Sequence, residues 1–499
     1  MCALGLLAPA RDAAAAWRQT RFLVGGWGIV DAVRDPESLV RLDAAGIDYV
    51  HVMDDLGHGA NMLAKLDSLH AAGRVKNLEL VLQDPIPPRR EEGFTRNPAA
   101  ARNWPAMERR IRTPGNSRSL LGFFVWDEPC TRADMAQIGE TVRRAVRAGL
   151  ADRAVPFVNL LAMPEPGAGS CYEADFAAGR TRGEAYAAYL DAYLAQYDAL
   201  PEPAPFLSLD SYPFQIDGRE GAAWFEALGI ARDRAAAYGR PGLRVPLWVT
   251  LQLATFRPRQ GKWQSSPTPA QIAWQVWGAV AYGAKSIAYW TLSPSEDTVN
   301  NLGFGSGLLG SDGRPSTAYA HVRRIDAALH ALGPVLMGLD PIAVFHVAKG
   351  RQKGIERDLL DDPGRIYGVV AGVAGTGRED CMIGYFKDRA SRTDHLLVMN
   401  KSLDRERRFD ITLGAVPKSI ERIDETSGRA IALPPDGTRL TVTLSPASAG
   451  LFRVALPGRE TLRGFRSVRK DGEAYEYVLD SGILRVDEAS GVRSFRGVR

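Results

Sequence analysis

Residues 120–129 read LLGFFVWDEP: an uncharged apolar run, then two acids and a proline. Apolar residues on consecutive rather than alternate positions are what a strand buried on both faces requires. The same texture recurs along the chain. Before it lie RFLVGGWGI (21–29), IDYVHVMDD (47–55) and NLELVLQD (77–84). After it lie VPFVNLLAM (155–163), PFLSLDSYPF (205–214), VPLWVTLQLATF (245–256) and KSIAYWTLSPS (285–295). Helical stretches separate most of these runs, among them MAQIGETVRRAVRAGL (135–150), GEAYAAYLDAYLAQYDAL (183–200) and PAQIAWQVWGAVAYGA (269–284). Asp35-Pro36-Glu37 supplies a cap and a first-turn proline for another. Eight strand-then-helix units over roughly 300 residues predict a (β/α)8 TIM barrel across residues 20–338. A Rossmann sheet is disfavoured, because GGWG after the first strand lacks the dinucleotide spacing.

Beyond Gly338 the runs shorten and turn residues separate them: RIYGVVAGV, CMIGYFKD, HLLVMNKS, RRFDITLG, SIERIDETSGRAIAL, RLTVTLSP and GLFRVAL. This pattern predicts an all-β sandwich over residues 339–457. HLLVMNKS reads as an inner strand. Residues 458–499 form a basic tail or an added β-hairpin. Residues 1–19 combine an apolar stretch and small residues without a basic start, and read as a tail or as the remnant of a signal peptide. The second alternative points toward an extracytoplasmic location.

At 499 residues two or three domains are expected. The net charge of +4 comes from 62 basic and 58 acidic residues spread along the chain, which disfavours nucleic acid as a partner. No apolar run reaches the ~20 residues of a membrane span. Cys2, Cys130, Cys171 and Cys381 lack short paired spacing, which argues against a zinc site and against a disulfide framework. No His-rich or Cys-rich constellation suggests a catalytic metal, and no cofactor is expected.

Barrel chemistry sits where the strands end at their C-termini. Those ends carry Trp27, then Asp54 and Asp55 with His58 near, Gln83 and Asp84, Trp126-Asp127-Glu128, and Asn159. Asp210 with Tyr212, Gln252, and Trp290 with Glu296 beyond it complete the rim. Carboxylates and amides grip hydroxyl groups, and an aromatic ring stacks on the apolar face of a pyranose, so this rim suits carbohydrate. Asp-Glu-Pro has a second reading as a helix start with Asp as cap. Asp210 likewise reads equally as a turn residue in Asp-Ser-Tyr-Pro.

The chain resembles the large clan of barrel glycoside hydrolases in which the acid/base Glu ends strand four, usually as Asn-Glu-Pro. Glu128, the first strand with its Gly and Trp, AAGIDYVHV, AYGAKSIAYWTLSPS and the segment leading into the sandwich carry that resemblance over roughly residues 20–455. It implies a glycosidase with Glu128 as general acid/base. Two departures stand out: Asp127 replaces the clan's Asn, and Gln252 stands where the clan's nucleophilic Glu ends strand seven. The Asp127–Glu128 pair also resembles families that cleave 2-acetamido sugars, in which the Asp orients the substrate's own amide. Three alternatives follow: substrate assistance through Asp127, inversion with Asp210, Asp54, Asp55 or Asp84 as base, or a protein that binds sugar without cleaving it. Trp27, Asp54, Asp55, Gln83, Asp84, Asn159, Tyr212, Gln252 and Trp290 are the expected substrate contacts.

Overall fold

The computed structural model describes residues 17–28, 35–52, 59–82, 108–109, 111–112, 118–163, 171–200, 202–214, 224–239, 243–254, 266–294, 305–347 and 369–457. It also describes the backbone of four later strands between residues 465 and 497. Eight parallel strands form the first sheet: β1 (Leu23–Gly28), β2 (Tyr49–Val52), β3 (Glu79–Leu82), β4 (Leu120–Asp127), β5 (Val155–Asn159), β6 (Leu207–Asp210), β7 (Leu247–Gln252) and β8 (Ala284–Ser293). Their order, β5-β4-β3-β2-β1-β8-β7-β6, leaves β5 and β6 at the two ends. Leu160 closes that gap by pairing with Leu209, donating its N–H to the Ser208 carbonyl at 2.9 Å. The result is a closed (β/α)8 barrel.

Aromatic rings fill its interior. Trp27, Tyr49, Phe124, Phe157, Phe206 and Trp248 form one buried cluster, with Phe206 stacked on Trp248 at a centroid distance of 4.0 Å. Glycine in β1 makes room for this, since a Cβ on Gly25 would lie 2.3 Å from the Tyr49 ring.

The sandwich follows at once. A six-stranded sheet runs β15 (Ala430–Leu433), β14 (Ser419–Ile423), β17 (Ala449–Ala455), β12 (Asp394–Asn400), β11 (Cys381–Asp388) and β9 (Leu339–His346). It faces a three-stranded sheet of β10 (Val370–Ala374), β13 (Arg407–Leu413) and β16 (Arg439–Leu444) across a shared apolar core. HLLVMNKS is indeed interior, because β12 lies between β11 and β17. Residues 465–497 add a four-stranded antiparallel meander, larger than a hairpin.

The outer face of the six-stranded sheet lies on the barrel helix Pro269–Ala281. Ten of its residues are buried, because the barrel covers one side and the sheet the other. Contact is so close that a Cβ on Gly384 would meet the Ala281 carbonyl at 2.6 Å. Deleting residues 340–499 should therefore uncover a helix apolar all round and yield aggregated protein. A soluble barrel with the thermal stability of the full chain would contradict this.

Candidate active site

The site begins with a register shift in β4. A bulge between Phe124 and Trp126 sets Trp126 opposite Val158 and Asp127 opposite Asn159. Val158 faces the outer helix layer, so Trp126 packs there as well and does not wall the barrel mouth. Asp127 turns toward the barrel axis instead. Glu128 follows with φ of 48°, a left-handed conformation unusual for a residue with a Cβ. Such positions persist only where surroundings hold them, and they cluster at functional sites.

The surroundings do hold it. The Glu128 N–H donates to the Asn159 carbonyl at 2.9 Å. The Tyr189 hydroxyl donates to the next carbonyl, that of Pro129, at 2.8 Å, and accepts from the Leu161 N–H at 3.0 Å. The following helix, Arg132–Arg147, is capped by Thr131 in a capping box with Asp134. Asp-Glu-Pro is therefore not the helix cap, and the alternative explanation for these acids falls away.

Asp210, at the end of β6, is 6% exposed and shares a hydrogen bond with Glu128. Burial pushes its carboxyl well above the usual range, and the nearby Glu128 and Asp127 charges push it further, against a hydrogen bond from Tyr212. With Glu128 and Asp127 close by, the neutral form of Asp210 is favoured. Asp210 is the better buried of the two, and Glu128 is half-exposed. Asp127 is exposed and takes a hydrogen bond from the Asn159 amide at 3.3 Å. Ser208 donates in turn to the Asn159 side-chain oxygen, Oδ1, at 3.1 Å. Asn159 thus orients Asp127, with both its polar atoms engaged.

Two expected contacts take other roles. Gln252 is fully buried, accepts from the Phe214 N–H at 3.1 Å and donates to the Phe214 carbonyl at 3.0 Å. It clamps the loop that carries Asp210 and Tyr212, so its amide is not offered to a ligand. Trp27 is 2% exposed, stacked on His51 at 4.2 Å and edge-on to Phe124, which leaves no face for a sugar. Burial alone holds His51 down to about 3, so it is neutral core. Trp290, half-exposed and 5.7 Å from Trp27, is the ring that reaches the mouth. Asp54, Asp55, His58, Gln83, Asp84 and Glu296 lie outside the described residues.

The clamp makes a prediction of its own. Gln252→Glu, which would restore the clan's residue type, puts a charge in a dry site and removes the donor to Phe214. It should cost about 2–4 kcal/mol of stability and add no activity. A variant with unchanged thermal unfolding would contradict that role.

Several features escape sequence reading. Tyr172 is buried, and after burial itself the Asp210 and Glu128 charges raise its hydroxyl further. Tyr186 is likewise near Asp210. Tyr186 and Tyr189 sit three apart on the helix Arg182–Leu194, a spacing that a search for aromatic stripes would find. The cysteines also correct an expectation: Cys130 and Cys171 form a disulfide with Cα atoms 4.9 Å apart. Partners 41 residues apart on different loops give no local signal.

Inward-facing polar atoms beside the pair lack protein partners. The Asp210 Oδ1 and Thr250 Oγ1 atoms are buried without a hydrogen bond, and Asp210 and Thr250 are register neighbours. Buried polar atoms are rarely left so, and a hydroxyl-rich ligand would satisfy them. Among the described residues no group of three His, Cys, Asp or Glu is placed to hold a metal. A cavity of about 750 Å³ lies at the opposite end of the barrel, lined by Trp17, Arg244 and Lys285 among others. Arg244 there pairs with Asp340 at 3.0 Å, and Lys285 donates to the Leu336 and Leu339 carbonyls.

Fold and strand ends together define a parallel (β/α)8 barrel with carboxyls gathered at its mouth, joined to a β-sandwich. No protein-family model matches the chain, and no curated protein is significantly similar to it. Solved structures of similar organisation include a family 51 α-L-arabinofuranosidase, AbfB, from Bifidobacterium longum. It is 11% identical with a TM-score of 0.42, over 89% of this chain and 98% of that one. A β-galactosidase from the haloarchaeon Halorubrum lacusprofundi is 12% identical with a TM-score of 0.37, over 87% and 98%. A glucosidase from Croceicoccus marinus is 12% identical with a TM-score of 0.33, over 89% and 98%. Likeness of this degree carries nothing about substrate or reaction.

Proposed function

We propose that this protein is a glycoside hydrolase in which Glu128 is the general acid. The observation that carries this reading is the hydrogen-bonded pair of Glu128 and buried Asp210 at the barrel mouth, where two negative charges side by side are disfavoured. Cleaving a glycosidic bond needs a carboxyl group still protonated near neutral pH, to protonate the departing oxygen as its bond to the anomeric carbon breaks. Asp210 keeps the proton in the site, and Glu128, the more accessible of the pair, delivers it. Trp290 offers a stacking face for a sugar ring, while Tyr212 and the Asp210 and Thr250 oxygens suit hydroxyl groups.

The fate of the developing positive charge depends on the second group. An inverting pair leaves room for a water and stands about 6.5–9.5 Å apart, and a retaining pair about 5–5.5 Å. Carboxyls that share a hydrogen bond fit neither spacing, so Asp210 is the proton partner rather than the opposing base. Among the described residues Asp127 is the carboxylate left to face a ligand, fixed by Asn159. That arrangement favours substrate assistance, with Asp127 orienting a 2-acetamido group that attacks the anomeric carbon.

Gln252 supports a second reading. With the strand-seven position used as a loop clamp, a carbohydrate-binding protein without catalysis would keep the same rim. Incubating the protein with aryl glycosides and polysaccharides, with 2-acetamido and 2-hydroxy sugars matched pair by pair, separates the two. Release favouring 2-acetamido substrates supports Asp127 in the assisting role. Binding without release from any member supports the inactive reading.

A further inference from the structure

We propose that the Cys130–Cys171 disulfide is a positioning element of this site, holding Glu128 in its left-handed conformation and fixing the segment that carries buried Tyr172. Its positioning role rests on reading the Glu128–Asp210 pair as the working groups. Cys130 lies two residues beyond Glu128, and Cys171 immediately precedes Tyr172. One covalent bond therefore joins the loop after β4, two residues beyond Glu128, to the segment that carries a buried tyrosine.

The local bonding shows what the bridge adds. Upstream, Glu128 is held by the Asn159 carbonyl. Downstream, Tyr189 holds the Pro129 carbonyl, and the Asp134 carboxylate takes the Cys130 N–H at 2.7 Å. Tyr172 has weaker anchors: its hydroxyl reaches the Ala162 carbonyl at 3.4 Å and its ring lies 5.5 Å from that of Tyr189. Tyr172 itself is core, but in the helix that follows it, Glu173–Ala177, no residue is fully buried and only Phe176 packs partly against the core. A left-handed residue with a Cβ persists only where its neighbours hold it. Cutting the bridge frees Cys171 and Tyr172 together and relaxes the constraint just after Glu128.

Both half-cystines are partly exposed, within reach of a small dithiol. Reduction breaks the Sγ–Sγ bond and leaves two thiols. The two electrons and two protons come from the dithiol, which closes into its own cyclic disulfide. The remaining described cysteine, Cys381, is buried in the sandwich and stays out of this exchange.

The test compares the full-length oxidised protein, the dithiol-reduced protein and the Cys130→Ala/Cys171→Ala double variant. Hydrogen–deuterium exchange is read on peptides covering 125–131 and 157–163, and on β11 and β12 as an internal reference. Exchange of the two barrel segments should rise about tenfold or more in the reduced protein and the variant, with the reference unchanged. Re-oxidation of the reduced protein should reverse the change. On any glycoside the protein hydrolyses, kcat should fall about tenfold with KM altered less, and the basic limb of the pH profile should move. Equal exchange with and without the bridge overturns the proposal, even if the double variant fails to fold, because the reduced wild-type chain gives the same reading. Altered exchange in a protein that cleaves no glycoside leaves the clamp standing and removes the hydrolase reading instead.

Discussion

Glu128→Gln should lower kcat/KM by about 10²–10⁴-fold on glycosides with poor leaving groups, the range typical of a lost general acid. Gln keeps the size of the side chain and can still bond to Asp210, so thermal unfolding should stay close to wild type. The loss should depend on the substrate. An aryl glycoside whose phenolate leaves without a proton does not need the acid, and its cleavage should be reduced far less. Equal loss on good and poor leaving groups would assign Glu128 another role, and no loss on either would place the chemistry elsewhere.

Asp210→Asn should act in opposite directions on activity and stability. Asp210 has a folded-state pKa above its unfolded one, so the folded chain binds more protons between those two values. Its contribution is then favourable below the unfolded pKa near 4 and is lost as pH rises toward the folded pKa, by about 1.4 kcal/mol for each pH unit between the two. An uncharged Asn that can still bond to Glu128 and Tyr212 removes this cost. The variant should unfold at a higher temperature than wild type near pH 8, with the gap closing toward pH 4. Hydrolysis should fall at least tenfold, because Glu128 loses the neighbour that keeps its proton in place. A site that trades stability for reactivity behaves this way. Equal unfolding temperatures across that pH range would show that Asp210 carries no excess proton.

The barrel was legible because each of its strands is apolar on both faces, which leaves little ambiguity against the amphipathic helices between them. The sandwich was less so. LDPIAVFH does not read as a strand because Pro341 interrupts it, and the proline is tolerated since β9 lies at a sheet edge. The single run SIERIDETSGRAIAL folds as the hairpin of β14 and β15. At the site, sequence placed Asp127, Glu128, Asn159 and Asp210 on strand ends but not their contacts. One bulge decides that Asp127 rather than Trp126 turns inward, and nothing in VWDEP announces it. The Glu128–Asp210 contact reaches across β5, a distance set by barrel curvature and not by spacing. Gln252 could be read as a missing nucleophile or as a substrate contact until Phe214 supplied its partners.

The most direct measurement is the pH dependence of kcat/KM for the best-cleaved glycoside, in wild type and in Asp210→Asn. The acid must be protonated to act, so activity falls as pH rises through the pKa of the pair. In wild type this basic limb should lie well above the ordinary carboxylate range. In Asp210→Asn the surviving activity should fall away at lower pH, because Glu128 then faces a neutral amide instead of a second carboxyl. A basic limb at the same pH in both proteins would contradict a proton shared by Glu128 and Asp210 and delivered to the glycosidic oxygen.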